Sequence, residues 1–346
     1  MTEDKIKNIQ DELSQAGTDP ALLARLRSDR ITAKKQLPPM DFLMRLFDVP
    51  SCPRGELVAF TGKAKSGKTF VVSMLMAAAV APQVLAFSRN CVEPLRVLWI
   101  DTEQSDQSTQ DILRNRLMPM AGTGFTEDLF DIFNIRVESW QDRLPLVLAA
   151  VDLSDPDLVV LDGIRDLVDD INDGRLAHEV VETLMRVAQA RHCCIVSVIH
   201  QNKAADDKTL RGSIGSELTN KAFEVYECEK LMPSRTFTMM QKHTRKYDIE
   251  QVLYYTVDER GLPQLAGEER QKGGGQEDTD LKTLFRRAFS GQQRLSGSTL
   301  RSNVMGMLGI SSFAAYNKLL ARAIGEGVLK KKTEQRHVWY TLVAPA

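Results

Sequence analysis

The chain lacks the C-x-x-C spacing of a zinc ribbon or dithiol redox site, and its five cysteines are an odd number, unsuited to a disulfide framework. Cys193 and Cys194 fall inside an apolar run and are expected as reduced core residues. No apolar leader opens the chain, since Met1 to Lys7 is charged. No apolar run has membrane-spanning length either: the longest, Phe70 to Phe87, is interrupted by Pro82 and Gln83. These absences predict a cytoplasmic protein. Net charge is nearly missing too, with 45 Lys+Arg against 46 Asp+Glu. That balance conceals an asymmetry: from Asp280 onward eleven Lys/Arg face three Asp/Glu, a surplus of +8, so the remainder carries −9. A basic C-terminal module on an acidic body points to a polyanionic partner.

At 346 residues the chain is long enough for about two domains. Residues 1–40 are charged and helix-prone, with Asp19-Pro20 opening a second segment rich in Leu and Arg. From 41 to 265 short apolar runs alternate with helical stretches, the pattern of an α/β domain with a mostly parallel sheet. Strands are expected at 56–61, 97–101, 130–137, 157–162, 194–199, 236–241 and 251–256. Helices are expected at 68–80, 106–117, 143–151, 176–191 and 214–224. Residues 266–280, with Gly273-Gly274-Gly275 among polar neighbours, read as a flexible linker. In 281–346, helices at 281–290, 298–308 and 312–325 followed by a hairpin at 328–342 give the order of a winged helix-turn-helix.

Gly62-Lys63-Ala64-Lys65-Ser66-Gly67-Lys68-Thr69 is a complete G-x-x-x-x-G-K-[ST] loop. It follows an apolar strand and opens an apolar helix, the context in which its backbone N–H groups surround an anion at a helix N-terminus. It predicts a nucleoside triphosphate site for ATP with Mg²⁺. Lys68 is placed to reach the β- and γ-phosphates, and the Thr69 hydroxyl to hold the metal. Asp162 ends the apolar strand that begins at Asp157 and is the second expected metal residue. Glu103, just beyond the strand Val97–Asp101, can polarise a water for attack on the γ-phosphate. Asp101, two residues earlier and of the same parity, is the rival base. His200 and Gln201 end another apolar strand and are placed to sense the γ-phosphate. The loop that follows contains Lys208 and Arg211 among small residues, suited to a phosphate chain. Lys242-His243-Thr244-Arg245-Lys246 could supply a cation to a neighbouring subunit's site, with Arg245 first and Lys242 second. In the C-terminal module, Asn317, Lys318 and Arg322 lie on one candidate recognition-helix face with Ala314 and Ala321. Lys330, Lys331, Lys332 and Arg336 would line the wing against DNA phosphates.

Together Gly62–Thr69, Trp99–Glu103, Val159–Asp162, Val198–Lys203, Arg211–Ser213 and Glu217–Lys221 resemble the RecA-like P-loop ATPases, in particular the RepA plasmid replication helicases and related mobile-element proteins. The resemblance covers about 45–265. It implies a catalytic carboxylate at Glu103, a His200/Gln201 region that couples hydrolysis to nucleic-acid loops, and basic residues that complete an adjacent subunit's site, commonly in a homohexamer acting on DNA. One departure is the loop after Asp162, where Asp166, Asp169, Asp170 and Asp173 disfavour DNA contact. Two other readings stay open. In one, ATP switches a DNA-binding regulator that has no motor activity. In the other, Lys63 answers to the signature lysine of the ParA/MinD partition ATPases, although about 60 residues precede this loop.

Overall fold

A strand that is apolar at every position has to be covered on both faces. Leu57–Gly62, Val97–Asp101 and Leu158–Asp162 are buried along their whole length, and Cys194–His200 along all but its last residue. In the computed structural model, which describes residues 19–202, 209–266, 281–290, 292–308, 313–334 and 337–343, these four strands form the middle of one sheet. Two units are distinguished, Met1–Gly267 and Glu268–Ala346.

The first unit runs α1 (Pro20–Asp29), β1 (Phe42–Leu46), β2 (Val49–Pro53), β3 (Leu57–Gly62), α2 (Lys68–Val80), β4 (Gln83–Val84), β5 (Phe87–Arg89) and β6 (Val97–Asp101). It continues through α3 (Asp106–Ile112), a π-helical turn (Leu113–Leu117), α4 (Met118–Ala121), β7 (Phe130–Asn134), α5 (Trp140–Ser154) and β8 (Leu158–Asp162). After these come α6 (Gly174–Arg191), β9 (Cys194–His200), α7 (Gly212–Lys221), β10 (Glu224–Lys230), β11 (Phe237–Thr244), β12 (Leu253–Val257) and β13 (Pro263–Leu265). The large sheet has the order β13-β12-β11-β10-β3-β9-β8-β6-β7. From β10 to β7 all neighbours are parallel, and β11, β12 and β13 are added antiparallel.

Alternation along each strand sends residues to two separate cores. Val58, Phe60, Trp99, Val160 and Val196 pack with α2 on one face. The small antiparallel sheet β2-β1-β5-β4 joins that core through Leu43, Met44, Leu46 and Phe87. Leu57, Ala59, Ile100, Leu161 and Ile195 pack with α5, α6 and α7 on the other face. α2 is buried nearly all round, as an apolar helix between two layers must be. By contrast, Pro20–Asp29 and the chain up to Asp41 are exposed throughout, Leu22, Leu23 and Leu26 included.

The second unit contains α8 (Leu281–Phe289), β14 (Arg294–Ser296), α9 (Gly297–Leu308), α10 (Phe313–Gly325), β15 (Leu329–Glu334) and β16 (His337–Leu342). Its three strands form an antiparallel sheet in the order β14-β16-β15. Phe285, Phe289, Leu300, Val304, Tyr316, Leu329 and Tyr340 make its core.

The α/β core with a mixed, mostly parallel sheet is as the sequence leads one to expect, and the small C-terminal sheet is antiparallel. Several elements differ from expectation. β10 and the small sheet are additional strands, and the helix expected over 106–117 leaves α-geometry at Leu113. The charged start of the chain (1–18) and most of the glycine-rich stretch 266–280 lie outside the described residues. Among the described residues no helix is long and apolar enough to cross a membrane.

Phe60 stacks on Tyr226 across β3 and β10, ring centroids 4.9 Å apart and both rings buried. Phe60→Ala should therefore cost about 3–5 kcal/mol, read as a lowered urea midpoint. A loss below about 1 kcal/mol would mean that the two strands are not packed this way.

Candidate functional site

The C-terminal ends of the parallel strands bring the glycine loop, Glu103, Asp162 and His200 to one edge of the sheet. β3 ends in the glycine loop, β8 in Asp162, β6 in the turn that carries Glu103, and β9 in His200. Register explains the grouping: Gly62 lies opposite His200, Asp162 opposite Val198, and Asp101 opposite Asp162.

Within the loop the Lys68 ammonium, buried with its residue, donates to the carbonyl oxygens of Gly62 and Lys63, both at 3.0 Å. Its third partner is His200 Nδ1 at 3.1 Å. An ammonium only donates, so Nδ1 accepts and the ring proton belongs on Nε2. That Nε2 faces Glu103 Oε1 at 3.6 Å. Burial pulls the Lys68 pKa below its usual value, and the charges of Cys228, Asp162 and Glu103 oppose that shift. Lys63 thus serves the loop through its carbonyl, while Ala64 and Lys65 are exposed at the tip.

Gly67 caps α2 in the left-handed region, φ +94°, and a methyl group there would run into the Tyr255 hydroxyl and the Phe237 ring. The Tyr255 hydroxyl instead donates to the Gly67 carbonyl at 3.0 Å. Ser66 Oγ is buried with no hydrogen-bond partner among the described residues. Such an orphaned donor beside a ring of backbone amides fits a phosphate oxygen.

Thr69 Oγ1 donates to Asp162 Oδ2 at 3.3 Å. Asp162 is buried, and desolvation raises its pKa to about 7, assisted by the charges of Glu103 and Asp101 and opposed by Lys68 and the Thr69 hydrogen bond. A carboxylate held so reluctantly ionised, beside a hydroxyl, is a donor set suited to a hard divalent cation. Thr69 and Asp162 therefore fit the Mg²⁺ expected of such a loop.

Glu103 and Asp101 differ sharply. Asp101 is fully buried and accepts four hydrogen bonds. They come from the backbone N–H groups of Glu103 and Gln104 (both 3.0 Å), the Gln104 side chain (3.1 Å) and the Thr109 hydroxyl (2.7 Å). It shapes the turn. The Glu103 side chain is 39% exposed and faces the crevice, and the neighbouring His200 holds its carboxyl below the ordinary range. Gly163 leaves room for it, since a Cβ there would lie 2.6 Å from Glu103 Oε1.

Gln201 is buried, and its backbone N–H donates to Gly62 O at 3.2 Å. Its side chain donates to Glu227 Oε1 on β10 at 2.7 Å, and Glu227 Oε2 takes Lys242 at 2.8 Å. Lys242 is thus held within its own chain. Arg245 lies at the opposite edge of the sheet from the glycine loop, because β11 runs antiparallel and Thr244 pairs with Glu224 at the start of β10. Its guanidinium donates to the carbonyls of Asn220, Lys221 and Ala222, closing the C-terminal end of α7. Arg211 sits before α7, and its backbone N–H donates to the His200 carbonyl at 2.9 Å. Lys208 lies outside the described residues.

In the second unit Asn317, Lys330, Lys331 and Lys332 are exposed. Arg322 pairs with Glu326 one turn on, at 2.7 Å. Lys318 falls on α10, but its side chain is outside the described set, as is Arg336 altogether. Strand alternation separates the three lysines: Lys330 and Lys332 share a face, and Lys331 stands opposite Tyr340 on the other.

One group of residues escapes the sequence reading. Phe70, immediately after Thr69, packs against Phe237 and Tyr255, which stack on each other at 5.2 Å. The Arg116 guanidinium lies 3.7 Å from the Phe70 ring centroid, its Nε buried without a partner among the described residues. The π-helical turn Leu113–Leu117 carries Arg116; such widened turns often accompany functional sites. A planar cation on an aromatic platform beside the loop is suited to a heterocyclic base.

Residues 19–206 match the sequence profile of a family described as AAA domain, more than half of the chain. A fold comparison pairs the chain with the crystal structure of a KaiC-like protein from the hyperthermophilic archaeon Pyrococcus horikoshii. Identity is 13% and the TM-score 0.43, over 62% of this chain and 92% of that one. None of the curated proteins matches.

With a folded-state pKa of about 7 against an ordinary 3.8, native Asp162 keeps a proton that the unfolded chain releases. Its contribution to stability therefore falls as pH rises through that window. Asp162→Asn removes this penalty. Without divalent cations, the variant should gain urea midpoint on wild type between about pH 4 and about pH 7. Parallel midpoint curves for the two proteins would contradict the assignment.

Proposed function

Because the chain belongs to the AAA-domain family, we propose that it binds ATP with Mg²⁺ in its glycine loop and hydrolyses the terminal phosphate. The observation that carries this reading is the convergence of Lys68, the Thr69–Asp162 pair and Glu103 at the ends of β3, β8 and β6. Lys68 leaves the carbonyls of Gly62 and Lys63 for the β- and γ-phosphates, an exchange of neutral acceptors for charged ones. Thr69 and Asp162 hold the cation, which when bound offsets charge on the phosphate oxygens. Glu103, kept ionised beside His200, orients a water and takes its proton. Asp101 acts through the turn it shapes. His200, released when Lys68 turns to phosphate, and Gln201 report the nucleotide through Glu227 and Lys242. Phe70 and Arg116 seat the base.

The wider reading is that of a DNA-associated ATPase of RecA/RepA type, working as a homo-oligomer. The +8 surplus of the C-terminal segment and the helix–strand order α8-β14-α9-α10-β15-β16, which is that of a winged helix, support a DNA partner. The uncovered leucines of α1 support assembly of copies. With Lys242 and Arg245 engaged in their own chain, a role for either in a neighbour's site requires those bonds to open on assembly.

Lys68→Ala should abolish ATP hydrolysis, and Glu103→Gln should retain nucleotide binding while hydrolysis falls about 10²–10⁴-fold. Phosphate release together with a fluorescent-nucleotide titration measures both. Full activity in Glu103→Gln would remove the proposed base. Hydrolysis assayed with and without single- and double-stranded DNA, alongside mass in solution, tests the wider reading: stimulation by neither form would detach the activity from DNA.

A further inference from the structure

The three-stranded sheet of the second unit has one face that the core does not use. Leu295, Tyr340 and Leu329 point into the core and are buried. Alternation then sends Arg294, Ser296, Trp339, Thr341, Lys330 and Lys332 to the other face. The ladder sets these side by side, with Ser296 and Lys332 flanking Trp339, and Arg294 and Lys330 flanking Thr341. Arg294, Lys330 and Lys332 are exposed and Trp339 is partly so. The Arg294 Cζ lies 4.2 Å from the Trp339 ring centroid. Trp339 thus stands among three cations on one sheet face, an aromatic plane with positive charge on both neighbouring strands.

From this geometry we infer that the outer face of β14-β16-β15 is a stacking platform for single-stranded nucleic acid. An unpaired base lies on the Arg294–Trp339 pair, and Lys330 and Lys332 take the flanking phosphates. The choice of a single strand follows from shape. A pleated sheet face presents planar groups to splayed bases, whereas a duplex keeps its bases stacked and offers grooves that admit a helix or a ribbon edge. Arg294 over Trp339 is a planar cation supported from beneath, which can stack on any base. The local surplus of +8 supplies the attraction for the phosphate chain. This inference rests on the DNA-associated reading above and narrows it, assigning single strands to the sheet face and leaving duplex contact, if any, to α10.

The test uses the full chain with labelled oligothymidylate, oligouridylate and a duplex of equal length, read by anisotropy. Trp339 emission is followed in a Trp140→Phe background, since Trp99 is buried in the first unit. Oligothymidylate should quench that emission. Trp339→Ala should weaken its binding roughly tenfold or more, with Trp339→Phe restoring most of it and Arg294→Lys intermediate, because the charge stays and the plane is lost. Lys330→Ala with Lys332→Ala should lower the salt slope by about 0.7 for each phosphate released, and ATP hydrolysis without nucleic acid should be unchanged in all of them. Equal affinity for the two oligomers supports stacking without sugar readout, and a preference for one names the strand. Should Trp339→Ala disturb folding, Arg294→Lys and the lysine pair still decide the matter. Single-strand binding that is indifferent to Trp339 and Arg294 overturns the platform. Duplex binding without single-strand binding overturns it while sparing the DNA reading, and binding of neither form removes both.

Discussion

The site depends on one buried ammonium. Lys68 is taken out of water by the fold and retained by two loop carbonyls and the His200 ring. Neutral acceptors solvate such a charge incompletely, so the loop is poised toward anions. Neighbouring features follow from that constraint. The imidazole that accepts from Lys68 must point its other nitrogen at Glu103, and Asp162 feels both the cation and the second carboxylate. Substrate affinity, proton placement and carboxylate ionisation are thus coupled through one side chain.

Much of this was legible in the sequence because it is local. A glycine loop between an apolar strand and an apolar helix states its own geometry, and the strand ends that carry Asp162, Glu103 and His200 follow from hydrophobic runs that stop at a polar residue. What stayed hidden depends on tertiary pairing. β10, Glu224 to Lys230, contains three glutamates and a lysine, and its composition reads as surface. Yet Glu224 and Glu227 are buried, because Ser51, Cys52 and Tyr226 serve one, and Gln201 and Lys242 serve the other. Those partners lie up to 173 residues away along the chain. The choice between Asp101 and Glu103 was equally beyond parity arguments, since both side chains leave the strand in the same direction. Hydrogen bonding separates them. In the sequence Arg245 reads as a cation offered to a neighbouring subunit's site, and only the antiparallel course of β11 reveals that its end lies away from the loop.

The two units divide the chemistry by charge. In the first, Lys68 and Arg245 are engaged by carbonyls, Lys242 by a carboxylate and Arg116 by an aromatic ring, and Asp169 and Asp170 are exposed. The second places lysines and arginines outward on a small sheet whose core needs few residues. The segment from Asp280 carries +8 and the remainder −9, so a polyanion is attracted by the one and repelled by the other.

Gly67 holds a further consequence. Its left-handed turn is pinned by a tyrosine that arrives 188 residues later, on a strand added antiparallel beyond the parallel body. The grip on phosphate is therefore not a possession of the glycine motif alone. A polypeptide ending before Leu253 would carry every letter of that motif and still lack the clasp that sets its curvature. The last strands of the first unit act as a mould for a loop made near its beginning, and nucleotide affinity reports on whether they have docked.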